Sequence, residues 1–182
     1  MKLLPLNGKL AAGRSAKVDD DVFEWASQLS WSLTPDGYAK AWLPEKSKQV
    51  YLHREIAASR SLGYVDHKNG DTLDYTRENL RPCTMSQNQM NSRKRPGTSS
   101  QYKGVSWNKH LRKWKCSLRL NGRNFFIGYF ANERHAAIAY DLNAPALFGE
   151  FFRGNFISAG QAGSLFYAPA SGLQSEVPRT AA

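Results

Sequence analysis

Cysteine is scarce in this chain: Cys83 and Cys116 are its only two, far apart and in no CxxC arrangement. Without paired ligand spacing, neither a structural zinc site nor a disulfide framework is expected. The implied setting is reducing and cytoplasmic rather than secreted. Long apolar runs are also missing. No segment reaches the roughly 18 apolar residues that span a bilayer. The apolar part of MKLLPLNGKL is too short for a secretory leader, so no membrane partner is expected. Acidic residues thin out in the middle third. Between Arg77 and Arg123 only Glu78 stands against twelve lysines and arginines, which rules out a charge-balanced surface there.

What is present follows from that imbalance. The formal net charge is +10, and Tyr102, Trp107 and Trp114 are interleaved with the basic residues. Such a surface calls for an acidic polymer, nucleic acid before membrane, because Lys and Arg on phosphate release condensed counterions.

The length, 182 residues, allows one ordinary domain or two or three small ones. Residues 1–52 read as a strand-helix-hairpin lead-in. Asp19-Asp20-Asp21 should cap the free N–H groups of a helix in VFEWASQLSW, with Val22, Trp25, Ala26 and Leu29 on one face. Thr34-Pro35-Asp36-Gly37 marks a turn between β-like runs Trp31–Leu33 and Tyr38–Leu43, and Gln49–Leu52 is a third such run. His53–Ser59 reads as a short helix. Residues 53–93 form the central unit. The stretch NSRKRPGTSSQ, with its Pro-Gly and small polar residues, places a basic linker at 94–101. Residues 102–156 form a second unit, and 157–182 read as a disordered tail.

The chemistry concentrates in Tyr64–Asn91, YVDHKNGDTLDYTRENLRPCTMSQNQMN. Asp66 offers a hard oxygen suited to magnesium. His67 titrates near neutrality when unperturbed, which suits a general base. Neighbours on a strand point to opposite faces, so both reach one phosphate only with help from a bend. Asn79 can hydrogen-bond across the loop and steady the strand bearing His67. Asn88, on a short helix, can offer a carboxamide oxygen. Taken singly, each is as readily turn or surface polarity; together they fit one-metal hydrolysis of a phosphodiester.

On LHRE, VDHKNGDTLD, ENLRPCT and SQNQMN this stretch resembles the His-Asn-His homing endonucleases of phages and mobile elements. The resemblance implies a ββα-metal core around one divalent cation, Mg²⁺ by preference. It implies His67 as general base, Asp66 and Asn88 as metal ligands, and Asn79 as the orienting middle residue. Asn88 stands where the family name has its last histidine. Tyr75 stands where relatives often carry a small polar residue, and is not expected to touch the metal. His53 and Arg54 are accessory candidates, as phosphate contacts or as packing between helix and hairpin.

In the second unit, KWKCSLRL alternates Trp114, Cys116, Leu118 and Leu120 against Lys115, Ser117 and Arg119. Three β-like runs, Tyr102–Trp107, Lys113–Leu120 and Phe125–Phe130, suggest a ribbon closed by an Asn121-Gly122 hairpin turn. Its apolar face should pack on a helix over 131–144, with Asn132 as N-cap, through Ala137, Tyr140 and Ala144. Pro145 should end or kink that helix. YKGVSW, KWKCSLRLNGRNFFIGYF, ERHAAIAYDLNA and GEFFRGNF resemble the plant apetala and ethylene-response-factor DNA-binding domain. By that resemblance the sheet reads DNA and the helix backs it. The corresponding contact positions are Lys103, Ser106, Asn108, Lys115, Ser117, Arg119, Asn124 and Phe126. Several differ from the plant residues, so base specificity is not transferable.

The fold class expected is α+β, a small ββα-metal core plus a three-stranded antiparallel sheet backed by one helix. The function expected is a metal-dependent endonuclease acting on double-stranded DNA. A DNA-binding regulator with an inert nuclease half is the alternative, and an RNA-binding accessory protein is a third. No protein partner is implied, and the working expectation is a monomer that nicks one strand at a time.

Overall fold

Turn chemistry and alternation divide the chain into short antiparallel pieces. The computed structural model describes residues 1–57 and 63–157. Most of the expected tail, 158–182, and the end of the expected helix His53–Ser59 lie outside them. Strands β1 (Lys2–Pro5) and β2 (Ser15–Val18) pair first. Helix α1 (Asp20–Ala26) follows. Asp19 sits at its N-cap without capping it: the carboxylate accepts from the Arg77 backbone N–H at 2.9 Å. A contact far along the chain has taken the acceptor expected to act locally. Strands β3 (Ser32–Leu33), β4 (Ala39–Leu43) and β5 (Lys48–Tyr51) form a small sheet, then comes helix α2 (Leu52–Ala57).

Strand β6 (Tyr64–His67) pairs with β7 (Leu80–Cys83), which leads into helix α3 (Met85–Asn91). A capping box starts α3: the Thr84 hydroxyl accepts from Gln87 N–H, and the Gln87 side chain accepts from Thr84 N–H. Beyond residues 94–101, strands β8 (Val105–Asn108), β9 (Lys113–Leu120) and β10 (Arg123–Phe130) form a sheet in the order β10-β9-β8. Asn121 and Gly122, at φ 49° and 80°, make the turn between β9 and β10, the pairing of positive angles a tight hairpin favours.

Helix α4 (Glu133–Phe148) backs this sheet, and the Asn132 side chain accepts from Arg134 and His135 N–H groups at its start. It runs through Pro145 rather than ending there. A proline inside a helix costs about 3 kcal/mol. The last turn offsets that by burying Phe148 against Tyr140, a gain of about 1.5–3 kcal/mol for such a side chain, and by closing Gly149 N–H onto Pro145 O.

The molecule is thus mixed α/β, with several small antiparallel sheets and few helices. Its apolar residues form two clusters. The first joins Leu4, Val18, Val22 and Trp31 to Leu52, Tyr75 and Leu80. The lead-in and the β6–β7 hairpin therefore share one core. The second joins Met90 of α3 to Val105, Cys116, Leu118, Ala137, Tyr140 and Phe148.

Candidate active site

Asp66 and His67 are adjacent on β6 and turn to opposite sides, as a strand requires. Both nonetheless border one cleft of about 490 Å³, together with Tyr38, Asn88 and Asn91. The cleft is also bordered by Arg14, Arg93, Arg95 and Arg153.

Asp66 is buried and firmly held. It sits directly across the hairpin from Arg81, whose Nε and Nη2 donate to Oδ2 at 2.9 and 2.7 Å. Opposite charges facing each other across two strands stabilise that register. Asn91 Nδ2 lies 2.9 Å from Asp66 Oδ1, and also within reach of the His67 carbonyl at 2.8 Å. One carboxamide thus ties the end of α3 to both residues of the Asp-His pair. Asn88, one turn earlier, faces the same cleft and is half-buried.

His67 is packed in rings. Tyr38, Tyr75 and His53 have centroids 5.9, 5.3 and 5.8 Å from it. Burial lowers its pKa in spite of the carboxylates of Asp66, Asp71 and Asp74. His53 is pushed down to about 3 by burial, with the charges of His67 and Arg54 adding to the effect. Both rings are neutral at neutral pH. Nε2 of His67 and Nδ1 of His53 are buried with no hydrogen-bond partner among the described residues. Tyr75 is fully buried, and its hydroxyl accepts from Ala39 N–H at 2.6 Å, so it braces β4 against the site. Arg54 points outward and lies over the Tyr51 ring instead.

Asn79 acts on the loop. Its Nδ2 donates to Asp74 O at 2.7 Å, and its Oδ1 accepts from Asn69 N–H at 3.0 Å. Asp74 Oδ1 in turn accepts from the Thr76 hydroxyl, and Asp74 Oδ2 from Asn69 Nδ2. These bonds brace the segment that follows His67.

The structure brings together Asp66, His67 and Asn88, with Asn79 one layer behind. It adds Tyr38, Arg81 and Asn91, and seats the accessory candidate His53 with its ring 5.8 Å from that of His67. The Asp66–Arg81 pairing was readable as opposite charges across a hairpin, had the register been known. Nothing local marks Tyr38, because its nearness to His67 comes from folding. Among the described residues, Asp66 Oδ1 accepts from Asn91 alone, and the Asn88 carboxamide forms no hydrogen bond. These oxygens suit a hard dication with water or phosphate completing its shell. No group of three His, Cys, Asp or Glu gathers to hold a metal among the described residues, so a closed protein cage is not on offer.

On the C-terminal sheet, strand register puts Ser106 beside Lys115, Ser117 beside Phe126, and Arg119 beside Asn124. With Asn108 they lie on the face opposite Cys116 and Leu118, which are buried under α4. Lys103 departs from this set. Its amine turns inward to the Met90 carbonyl, with the Arg153 carbonyl at 3.4 Å, and burial lowers its pKa to about 8. Its amine thus joins the end of α3 to the C-terminal unit.

No protein-family profile matches this chain, and no solved structure matches it. A curated protein of Acanthamoeba polyphaga mimivirus, described as an uncharacterized HNH endonuclease, is 34% identical over 151 residues. The match covers 80% of this chain and 76% of that protein. On that identity and coverage, the chain belongs to the HNH endonuclease family.

Proposed function

We propose that this protein is a divalent-metal-dependent endonuclease of the homing type that hydrolyses phosphodiester bonds in double-stranded DNA. One observation carries the reading: a single arginine-rimmed cleft holds a neutral buried imidazole beside a carboxylate and an uncommitted carboxamide. Asp66 and Asn88 would hold the cation, Mg²⁺ by its taste for oxygen, and when bound it supplies charge neutralisation at the phosphate and the leaving oxygen. His67 takes a proton from the attacking water as the new P–O bond forms and one ester P–O bond breaks. The proton has an empty site to enter because burial keeps the ring neutral. Asn79 and Asn91 hold the strand end so that His67 keeps its place. The outer face of β8–β10, resembling the ethylene-response-factor domain, grips the flanking duplex through Lys115 and Arg119 and reads it with the neighbouring Asn, Ser and Phe side chains.

Supercoiled plasmid carrying the natural target should be nicked in Mg²⁺ and left intact in EDTA. The full-length His67→Ala protein should cut at least about 100-fold more slowly. Equal rates for the two proteins would sink the catalytic reading. The alternative, a DNA-binding protein with an inert nuclease half, draws on the Asp66 carboxylate being already neutralised by Arg81. It predicts salt-sensitive duplex binding with no cleavage under any divalent metal.

A further inference from the structure

Arg153 closes the C-terminal unit, yet it borders the cleft of Asp66 and His67. Its Nη1 donates to Asn69 O at 3.3 Å. The guanidinium lies over Gly70, at φ 69°, where any Cβ would collide with it. From the other side Arg93, just beyond α3, reaches toward Gly70 O at 3.4 Å. Two guanidiniums thus converge on one glycine of the loop that follows His67. Burial and then the Arg93 charge lower the Arg153 pKa, as expected for like charges crowded together. Neither arginine pairs with a carboxylate among the described residues. Of the two acids bordering the cleft, Asp66 is committed to Arg81 and Asn91, and Asp71 accepts from Leu73 N–H through Oδ1 and pairs with neither arginine.

The segment carrying Arg153 is firmly anchored. Phe151 and Phe152 are buried in the second core. The buried Asp141 carboxylate accepts from Asn155 N–H and Phe156 N–H, both at 2.7 Å. A side chain held so closely, uncompensated and facing a cleft, is preorganised for an anion. Guanidinium forks match phosphate in shape and charge.

We propose that Arg153, with Arg93 across Gly70, is a phosphate-binding residue that the C-terminal unit supplies to the nuclease cleft, where it takes a backbone phosphate of the DNA strand laid across Asp66 and His67. The inference rests on the nuclease reading of the cleft. It makes the C-terminal unit part of the cutting site as well as the grip on flanking duplex.

The test is binding of full-length protein to a fluorescent mixed-sequence duplex in EDTA across a range of salt. The slope of log affinity against log salt should become shallower by about 0.9 in Arg153→Gln, one phosphate contact's worth, and Arg153→Lys should keep it. A folded Arg153→Gln protein with the wild-type slope overturns the proposal, and a lowered melting temperature with that same slope assigns Arg153 to bracing the loop alone. Should Arg153→Gln fail to fold, the exposed Arg93→Gln gives the deciding slope, and no change there also overturns it. Binding in EDTA is independent of cleavage, so a failure of the nuclease reading in the plasmid assay stays distinguishable from a failure here.

Discussion

His53 and His67 lie edge to face inside a ring of Tyr38, Tyr51 and Tyr75. Packing of this kind keeps an imidazole uncharged, which gives a pH dependence of stability with a definite sign. The unfolded chain takes up protons on these rings below pH 6.5, while the folded chain resists until about 3 for His53. Stability is therefore complete above 6.5 and falls as pH drops through that window, by up to about 1.4 kcal/mol per pH unit for each histidine. Urea denaturation at a series of pH values should show this fall, and His53→Phe should remove one histidine's share of the slope. An unchanged slope would mean that His53 is not buried neutral. Local sequence was enough to mark His67, because it adjoins Asp66. It left His53 between two readings, since only the packing of α2 against β6 decides where that ring points.

At the level of elements, α3 is short and carries more than its length would support. Seven residues make a marginal helix without help. The Thr84–Gln87 box and the insertion of Met90 into the second core supply that help. Thr84→Ala should cost about 0.5–2 kcal/mol in denaturant. It should also reduce cleavage, because the same helix presents Asn88 and Asn91 to the cleft. Loss of stability with no loss of activity would show that α3 needs no cap to hold those carboxamides. Helix α4 shows the converse. Its N-cap was legible from Asn132, but its end was not, because the burial of Phe148 outweighs what Pro145 does locally.

Across the whole molecule, Arg81 is the point where the two cores meet at the site. One guanidinium grips Asp66, donates to the Glu150 carbonyl at 2.8 Å, and lies 3.8 Å from the centre of the Phe151 ring. Arg81→Met should cost about 3–5 kcal/mol, since it leaves a buried carboxylate without its counter-charge. A urea titration followed by tryptophan fluorescence would show it, and a cost below about 1 kcal/mol would mean that solvent reaches Asp66 and screens it.

Sequence by itself determined the pieces. Alternation specified the C-terminal strands, Asn-Gly their turn, and the run from Asp66-His67 through Asn79 to Asn88 the candidates for the site. These depend on neighbours within a strand, a turn or a helix, and such neighbours are fixed by chain geometry. Tertiary structure alone decided that the lead-in and the hairpin share one core, that Lys103 turns inward, that Arg81 neutralises Asp66, and that Arg153 returns to the cleft. Each of those depends on which distant groups compete for the same buried acceptor or the same apolar surface, and that competition is settled only when the chain packs.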